Sequence, residues 1–224
     1  MQMREEHYAI LRRHMVEVVE IYTDLSAAEL GKSRLDPRVL EAMLRVPRHL
    51  FVPDVLKPFA YNNSPLPIGF DKTISQPFIV AVMTDLLQIG PGHRVLEVGT
   101  GLGYHAAVLA DLAGEVFTVE IIEELATAAE ERLRELGYGN ITIRVGDGSL
   151  GWPEHAPFDR ILVTAGAELV PAALIEQLAP GGRMVLPAGL ADEQKLSLVE
   201  KDPTGRSRVS EIMPVRFGEL ETVR

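Results

Sequence analysis

Between Pro77 and Leu186 the chain alternates short apolar runs with amphipathic stretches, and that rhythm restricts the fold more than any other feature. Its periodicity predicts strands over residues 95–98, 116–120, 141–145, 160–163 and 183–186. Helices are predicted over 78–87, 104–112, 123–136 and 168–178, with a Pro91-Gly92 turn before the first strand. Short apolar strands separated by helices form βαβ units, whose parallel sheet is covered on both faces. Residues 195–200 and 208–213 flank Asp202-Pro-Thr-Gly205, which predicts an antiparallel hairpin closing the sheet. The expected fold is therefore α/β, a mostly parallel sheet with helices on both faces.

The first 75 residues read differently. Ile10, Leu11, Met15, Val18, Val19 and Tyr22 fall near helical spacing and predict a core-facing stripe on a charged helix. Asp36-Pro37 supplies an N-cap and a proline at the first helical position, opening a second helix over 38–46. Residues 58–76, with prolines at 58, 65 and 67, are expected to be an irregular loop. The domain expectation is one unit over 1–224, a helical and loop addition (1–75) preceding a ligand-binding α/β core (76–224).

Composition narrows the function. A chain of 224 residues, 46% hydrophobic and 24% charged, has a globular balance. The formal net charge of −10, with Lys and Arg scattered singly, argues against a general nucleic-acid binder. No run approaches the roughly 20 apolar residues of a bilayer span, and residues 1–8 lack the pattern of a secretory signal, so no membrane partner is expected. The absence of cysteine removes disulfides and thiolate chemistry and fits a reducing cytoplasm. His7 and His14 lack metal-ligand spacing, His49, His93 and His155 read as surface or loop residues, and His105, in the first turn of a helix, reads as solvent-exposed or as a polar pocket residue, so no metal site is expected. Trp152 reads as a packing residue.

The chemistry concentrates at strand ends. Val95-Leu-Glu97-Val-Gly99-Thr100-Gly101-Leu-Gly103-Tyr104 spans the end of one strand and the start of a helix, where glycine lets the backbone turn sharply and approach a ligand. A dinucleotide loop needs glycine at the position of Tyr104. An acidic residue followed by G-x-G-x-G instead resembles the first motif of class I S-adenosylmethionine-dependent methyltransferases. That resemblance implies a cofactor held by Glu97, Gly99, Thr100, Gly101 and Gly103. Glu120 ends the next strand, where a carboxylate can accept from two ribose hydroxyls. Asp147 and Gly148, after the third strand, resemble the adenine contact of such enzymes.

Further segments resemble one family. Ala60–Gly69, Thr73-Ile-Ser75-Gln-Pro77, Arg48-His-Leu-Phe-Val-Pro53, Gly148-Ser-Leu-Gly-Trp-Pro153, Ala156-Pro-Phe-Asp159 and Gln177-Leu-Ala-Pro-Gly-Gly182 are similar to the signatures of protein-L-isoaspartate O-methyltransferases. The resemblance covers about residues 35–200. It implies a class I methyltransferase fold, isoaspartyl-containing proteins or peptides as partners, and a repair reaction on the α-carboxyl group of the damaged residue. Ser75 matches the family's active-site serine, although Ser75-Gln-Pro77 also reads as a helix N-cap. The chain departs from the family at Leu102 and His105, at Asp71-Lys72, and over Val215-Arg-Phe-Gly-Glu-Leu220. Two other readings stay open: a methyltransferase of this fold acting on a different carboxylate, and a non-catalytic binder of damaged protein ends.

Overall fold

The computed structural model describes residues 4–223. It opens with α1 (Glu5–Leu25), α2 (Ala27–Leu30) and α3 (Pro37–Arg45), then two 3₁₀ turns over Arg48–Phe51 and Asp54–Phe59. A small hairpin of β1 (Leu66–Gly69) and β2 (Lys72–Ile74) precedes α4 (Pro77–Leu87). The alternating region follows as β3 (Arg94–Val98), α5 (Tyr104–Ala110), β4 (Glu115–Glu120), α6 (Glu123–Glu135), β5 (Ile141–Val145), β6 (Phe158–Val163) and α7 (Ala172–Gln177). Three strands complete the chain: β7 (Leu178–Ala188), β8 (Lys195–Lys201) and β9 (Ser207–Pro214).

Seven strands pair in the order β5-β4-β3-β6-β7-β8-β9. The first five are parallel, and β8 and β9 run antiparallel as the closing hairpin expected from the sequence. From β3 the chain moves outward through β4 and β5, then returns to the other side of β3 as β6. Strand direction of travel therefore reverses between β3 and β6, the place where open α/β sheets leave a crevice for ligands.

Side-chain alternation on these strands feeds two cores. Val95, Val116, Leu162 and Val185 point toward α4 and α5, whereas Leu96, Val98, Phe117, Ile161 and Met184 pack with Trp152, Phe158 and Leu174 on the opposite face. Trp152 is thus a packing residue, edge-on to Phe117. Every residue of α5 is buried, as are most of α4, because α1 and α3 lie across them as a further layer. Asp36 caps α3 through its carboxylate as expected, accepting from Arg38 N at 2.9 Å.

Four local expectations are corrected. The stripe on α1 is rotated, so that Tyr8, Met15, Val16 and Val19 are buried, while Ile10 is exposed and Tyr22 keeps 43% of its surface. The segment expected to be irregular contains the β1–β2 hairpin, with Pro67 paired to Thr73. Its turn places Phe70 and Asp71 at φ 53° and 55°, so it lacks the Asn-Gly or Asp-Gly pair that betrays such turns. The last helix is shortened to Ala172–Gln177 because Pro171 occupies its N-cap. His49 is not a surface residue: it is buried, stacked on Tyr8 at 3.8 Å between ring centroids, with Nδ1 2.8 Å from Tyr61 Oη.

A buried carboxylate is one of the ties between the N-terminal layer and the core, alongside the Arg45–Asp111 pair. Buried Asp85 on α4 accepts from Asp36 N at 2.7 Å and pairs with Lys32. Asp85→Ala leaves a backbone N–H and an ammonium without their partner, and should cost about 1–3 kcal/mol in urea unfolding. A loss below about 0.5 kcal/mol would mean that the α3–α4 packing holds without this link.

Candidate functional site

The crevice at the β3/β6 crossover is a cleft of about 580 Å³. Its floor is the turn after β3. Gly99 has φ 95°, and a Cβ there would sit 2.3 Å from Thr164 Oγ1, which bonds the Val98 and Gly99 carbonyls at 3.0 and 2.8 Å. Only glycine satisfies both the backbone angle and that close approach. Gly101, at φ 56°, turns its N–H to Glu120 Oε2 at 2.8 Å, and Ile122 N donates to Glu120 Oε1 at 3.1 Å. The end of β4 thereby fixes the loop that follows β3. Gly148 forms a third wall: any Cβ would lie 2.3 Å from Val98 Cγ1.

Beneath the loop runs a buried polar chain. Thr118, opposite Glu97 in the β3–β4 register, donates to Glu97 Oε2 at 2.5 Å and lies 2.6 Å from Thr100 Oγ1. Glu97 is 0% exposed and its Oε1 has no partner among the described residues. Burial pushes its carboxyl up to about 8, against a weaker opposing effect of the Thr118 bond, so the group is mostly protonated at neutral pH.

The opposite wall comes from outside the sheet. Ser75, just after β2, lines the cleft, and among the described residues no hydrogen bond engages its hydroxyl. The N-cap expectation is corrected here: Gln76 holds that position, and Asn63 Oδ1 takes the Phe78 N–H of α4 at 3.0 Å. Tyr22, expected in the core, lies against Phe78 and borders the cleft. The departing C-terminal run forms a strap along the rim. Gln194 holds Phe217 by both its N–H and carbonyl, Leu220 N donates to Gly166 O at 2.8 Å, and Glu221 pairs with Lys72 at the hairpin.

Of the residues predicted from sequence, Ser75, Gly99, Gly101, Glu120 and Gly148 line the cleft. Glu97 and Thr100 lie behind the loop in the polar chain. Gly103 is the left-handed residue that starts α5, packed against Leu133. Asp147 stands beside the cleft: Oδ1 accepts from Ser149 N, and Oδ2 accepts from Val223 N at 3.0 Å. Burial acts to raise its pKa, but the bonds from Ser149 and Val223 outweigh it and hold the carboxyl below its ordinary value. His105, read from sequence as solvent-exposed or as a polar pocket residue, is buried with Nε2 2.9 Å from Thr84 Oγ1, and burial lowers it to about 3, keeping the ring neutral. Thr164, which lines the cleft, was not singled out from sequence, and Asn63 stood only inside the Ala60–Gly69 signature with no role assigned to it.

Comparisons with known proteins agree with this geometry. A family model described as protein-L-isoaspartate(D-aspartate) O-methyltransferase (PCMT) matches residues 25–222. Protein-L-isoaspartate O-methyltransferase 1 of Polaromonas sp. is 54% identical over 219 residues, covering 98% of this chain and 93% of the relative. Protein-L-isoaspartate O-methyltransferase 2 of Syntrophobacter fumaroxidans is 54% identical over 217 residues, 96% of this chain and 88% of the relative. A solved protein-L-isoaspartate O-methyltransferase superposes with a TM-score of 0.79 at 28% identity over 93% of this chain, which spans 65% of that longer one. A Plasmodium falciparum chain described as a beta-aspartate methyltransferase, solved with S-adenosyl-L-homocysteine, has a TM-score of 0.78 at 22% identity, covering 95% of this chain and 99% of that chain.

The raised Glu97 pKa has a sign that stability measurements can read. Its proton is held more tightly in the folded chain (about 8) than at the ordinary value of 4.5, so the stabilisation is complete below 4.5 and is lost as pH rises toward 8. Glu97→Gln mimics the protonated form. Cofactor-free wild-type protein should lose stability relative to Glu97→Gln between about pH 5 and 8 in denaturant titrations. Parallel curves for the two proteins would show that Glu97 is ionised in the fold.

Proposed function

The chain belongs to the protein-L-isoaspartate(D-aspartate) O-methyltransferase family, and on that footing we propose that its cleft transfers a methyl group from S-adenosylmethionine to the α-carboxylate of L-isoaspartyl residues in damaged proteins or peptides. The observation that carries this reading is the meeting of two walls: a glycine loop with a buried carboxylate on one side and a free serine hydroxyl on the other.

The donor wall suits the cofactor. Each oxygen of Glu120 already holds one backbone N–H and keeps lone-pair capacity for ribose hydroxyls. Gly99, Gly101 and Gly148 let main chain come close where a side chain would fill the space, and the cleft volume falls within the range of small-molecule sites. Glu97 and Thr100 support the loop from below, Gly103 starts the following helix, and Asp147 offers the adenine edge a carboxylate. When bound, S-adenosylmethionine supplies an activated methyl group on a sulfonium centre.

The acceptor needs little activation, because a carboxylate is ionised and nucleophilic near neutral pH. Ser75 donates its hydroxyl proton in a hydrogen bond to one carboxylate oxygen and so aims the other, which is catalysis by positioning. Arg216 lines the same cleft without an ion pair among the described residues, and contributes a field that favours the anionic acceptor. The methyl ester that forms then cyclises spontaneously, the next main-chain nitrogen attacking the ester carbonyl and displacing methanol, to a succinimide whose hydrolysis returns part of the material as ordinary aspartate. We read residues 1–224 as one domain for this reaction, since both N-terminal and C-terminal segments contribute walls.

Two measurements test the reading. Labelled methyl should pass from S-adenosylmethionine to an L-isoaspartyl peptide in base-labile form, and not to its L-aspartyl twin; equal labelling or none would send the search to another acceptor. Ser75→Ala should lower turnover about 10²-fold with little change in S-adenosylhomocysteine affinity. Loss of affinity in step with turnover would make the serine a structural residue.

A further inference from the structure

The acceptor wall rests on a charge that has no counter-charge. Arg48 is 0% exposed, yet no carboxylate is among the groups acting on it, and its Nη1 has no partner among the described residues. Its Nε donates to Ala60 O at 2.8 Å and its Nη2 to Ser75 O at 2.7 Å. The guanidinium also lies over the Tyr104 ring, 4.8 Å from the centroid, and Tyr104 is the residue that follows the glycine loop. One side chain therefore joins both ends of the segment 60–75, which carries the β1–β2 hairpin, and docks them on the start of α5.

Burying an unpaired cation is costly, and an apolar side chain of similar length fills such a site without that cost. What arginine adds over apolar packing is its hold on the Ala60 and Ser75 carbonyls, which an apolar side chain would leave unpaired. Burial lowers its pKa to about 10, so the group stays charged at neutral pH. Lysine is not equivalent, because all its donors sit on one nitrogen, whereas Arg48 reaches the two carbonyls from two nitrogens held apart in a planar fork.

We propose that Arg48 is a positioning residue of the methyl-transfer site, holding Ser75 by its main-chain carbonyl so that the free hydroxyl faces the cleft. The inference rests on the role proposed above for Ser75. Asn63 completes the arrangement, since by taking the Phe78 N–H it relieves Ser75 of capping α4. The division of labour is then explicit: the main chain of Ser75 is fixed from behind by Arg48, and its side chain is left for the acceptor.

A double-mutant cycle on the full chain tests this. Arg48→Lys should lower kcat on an isoaspartyl peptide roughly 30-fold, within the ~10²-fold range of a 1 Å misplacement. S-adenosylhomocysteine affinity, measured by calorimetry, should stay within about threefold, because the hydrogen bonds of Arg48 go to Ala60 and Ser75 and not to the glycine loop. In a Ser75→Ala background the same change should cost less than about threefold, since the hydroxyl it positions is already gone. Arg48→Met, which replaces the buried charge with apolar volume, should fold and show the same pattern. Equal losses in both backgrounds, a parallel fall in S-adenosylhomocysteine affinity, or failure of both Arg48 variants to melt cooperatively would overturn the proposal and make Arg48 a fold residue. Full activity of Ser75→Ala would instead remove the Ser75 role, and the Arg48 role with it. A slow Ser75→Ala beside fully active Arg48 variants would remove the Arg48 role alone.

Discussion

Gly99 and Thr164 meet across the gap between the third and sixth strands, and the cleft exists because that contact is so close. The Thr164 hydroxyl donates to the carbonyls of Val98 and Gly99, at a distance that leaves no room for a Cβ on residue 99. This pulls the end of β6 against the turn after β3, while Gly101 ties the same turn to Glu120 at the end of β4. Three strand ends are thereby locked around one short loop. The turn takes positive φ at 99, 101 and 103, which glycine permits, and α5 begins directly after it at Tyr104.

The second half of the cleft is built by segments outside the alternating sheet. Residues 60–76 fold back as a hairpin over the strand ends, and the C-terminal strap runs along the facing rim, joined to the hairpin through Lys72 and Glu221. Neither wall has a large apolar core of its own. The hairpin inserts Leu66, Ile68 and Ile74 into the main core, and specific polar contacts add to this: Arg48 and Asn63 for the hairpin, Gln194 and Gly166 for the strap. Positions held this way are sensitive to single substitutions, as buried donors and acceptors left unpaired are costly.

The division between sheet and surround also explains what the sequence disclosed. Strand and helix periodicity identified the parallel sheet, the closing hairpin and the turn after β3, because each depends on local pattern and on glycines that only a tight turn requires. Glu120 was legible by its place at a strand end. The hairpin at 66–74 was hidden because Phe70 and Asp71 adopt a turn that ordinarily calls for glycine or asparagine, and because its prolines suggested a loop. Tyr22 was misplaced since a stripe of period 3.6 fixes a helix face only to within a residue or so, and the burial of α1 is set by α4. Arg48, His105 and Asn63 owe their roles to partners 12 to 27 residues away, a relation that no local pattern records.

A structure of the protein with S-adenosylhomocysteine and an isoaspartyl peptide tests most directly whether these two walls act on one reaction. The account places the ribose at Glu120, the sulfur facing the serine side of the cleft, and the peptide α-carboxylate within hydrogen-bond distance of Ser75 Oγ, about 2.5–3.0 Å. A peptide carboxylate bound elsewhere, with Ser75 turned away from it, would contradict the account even if the cofactor lay as described.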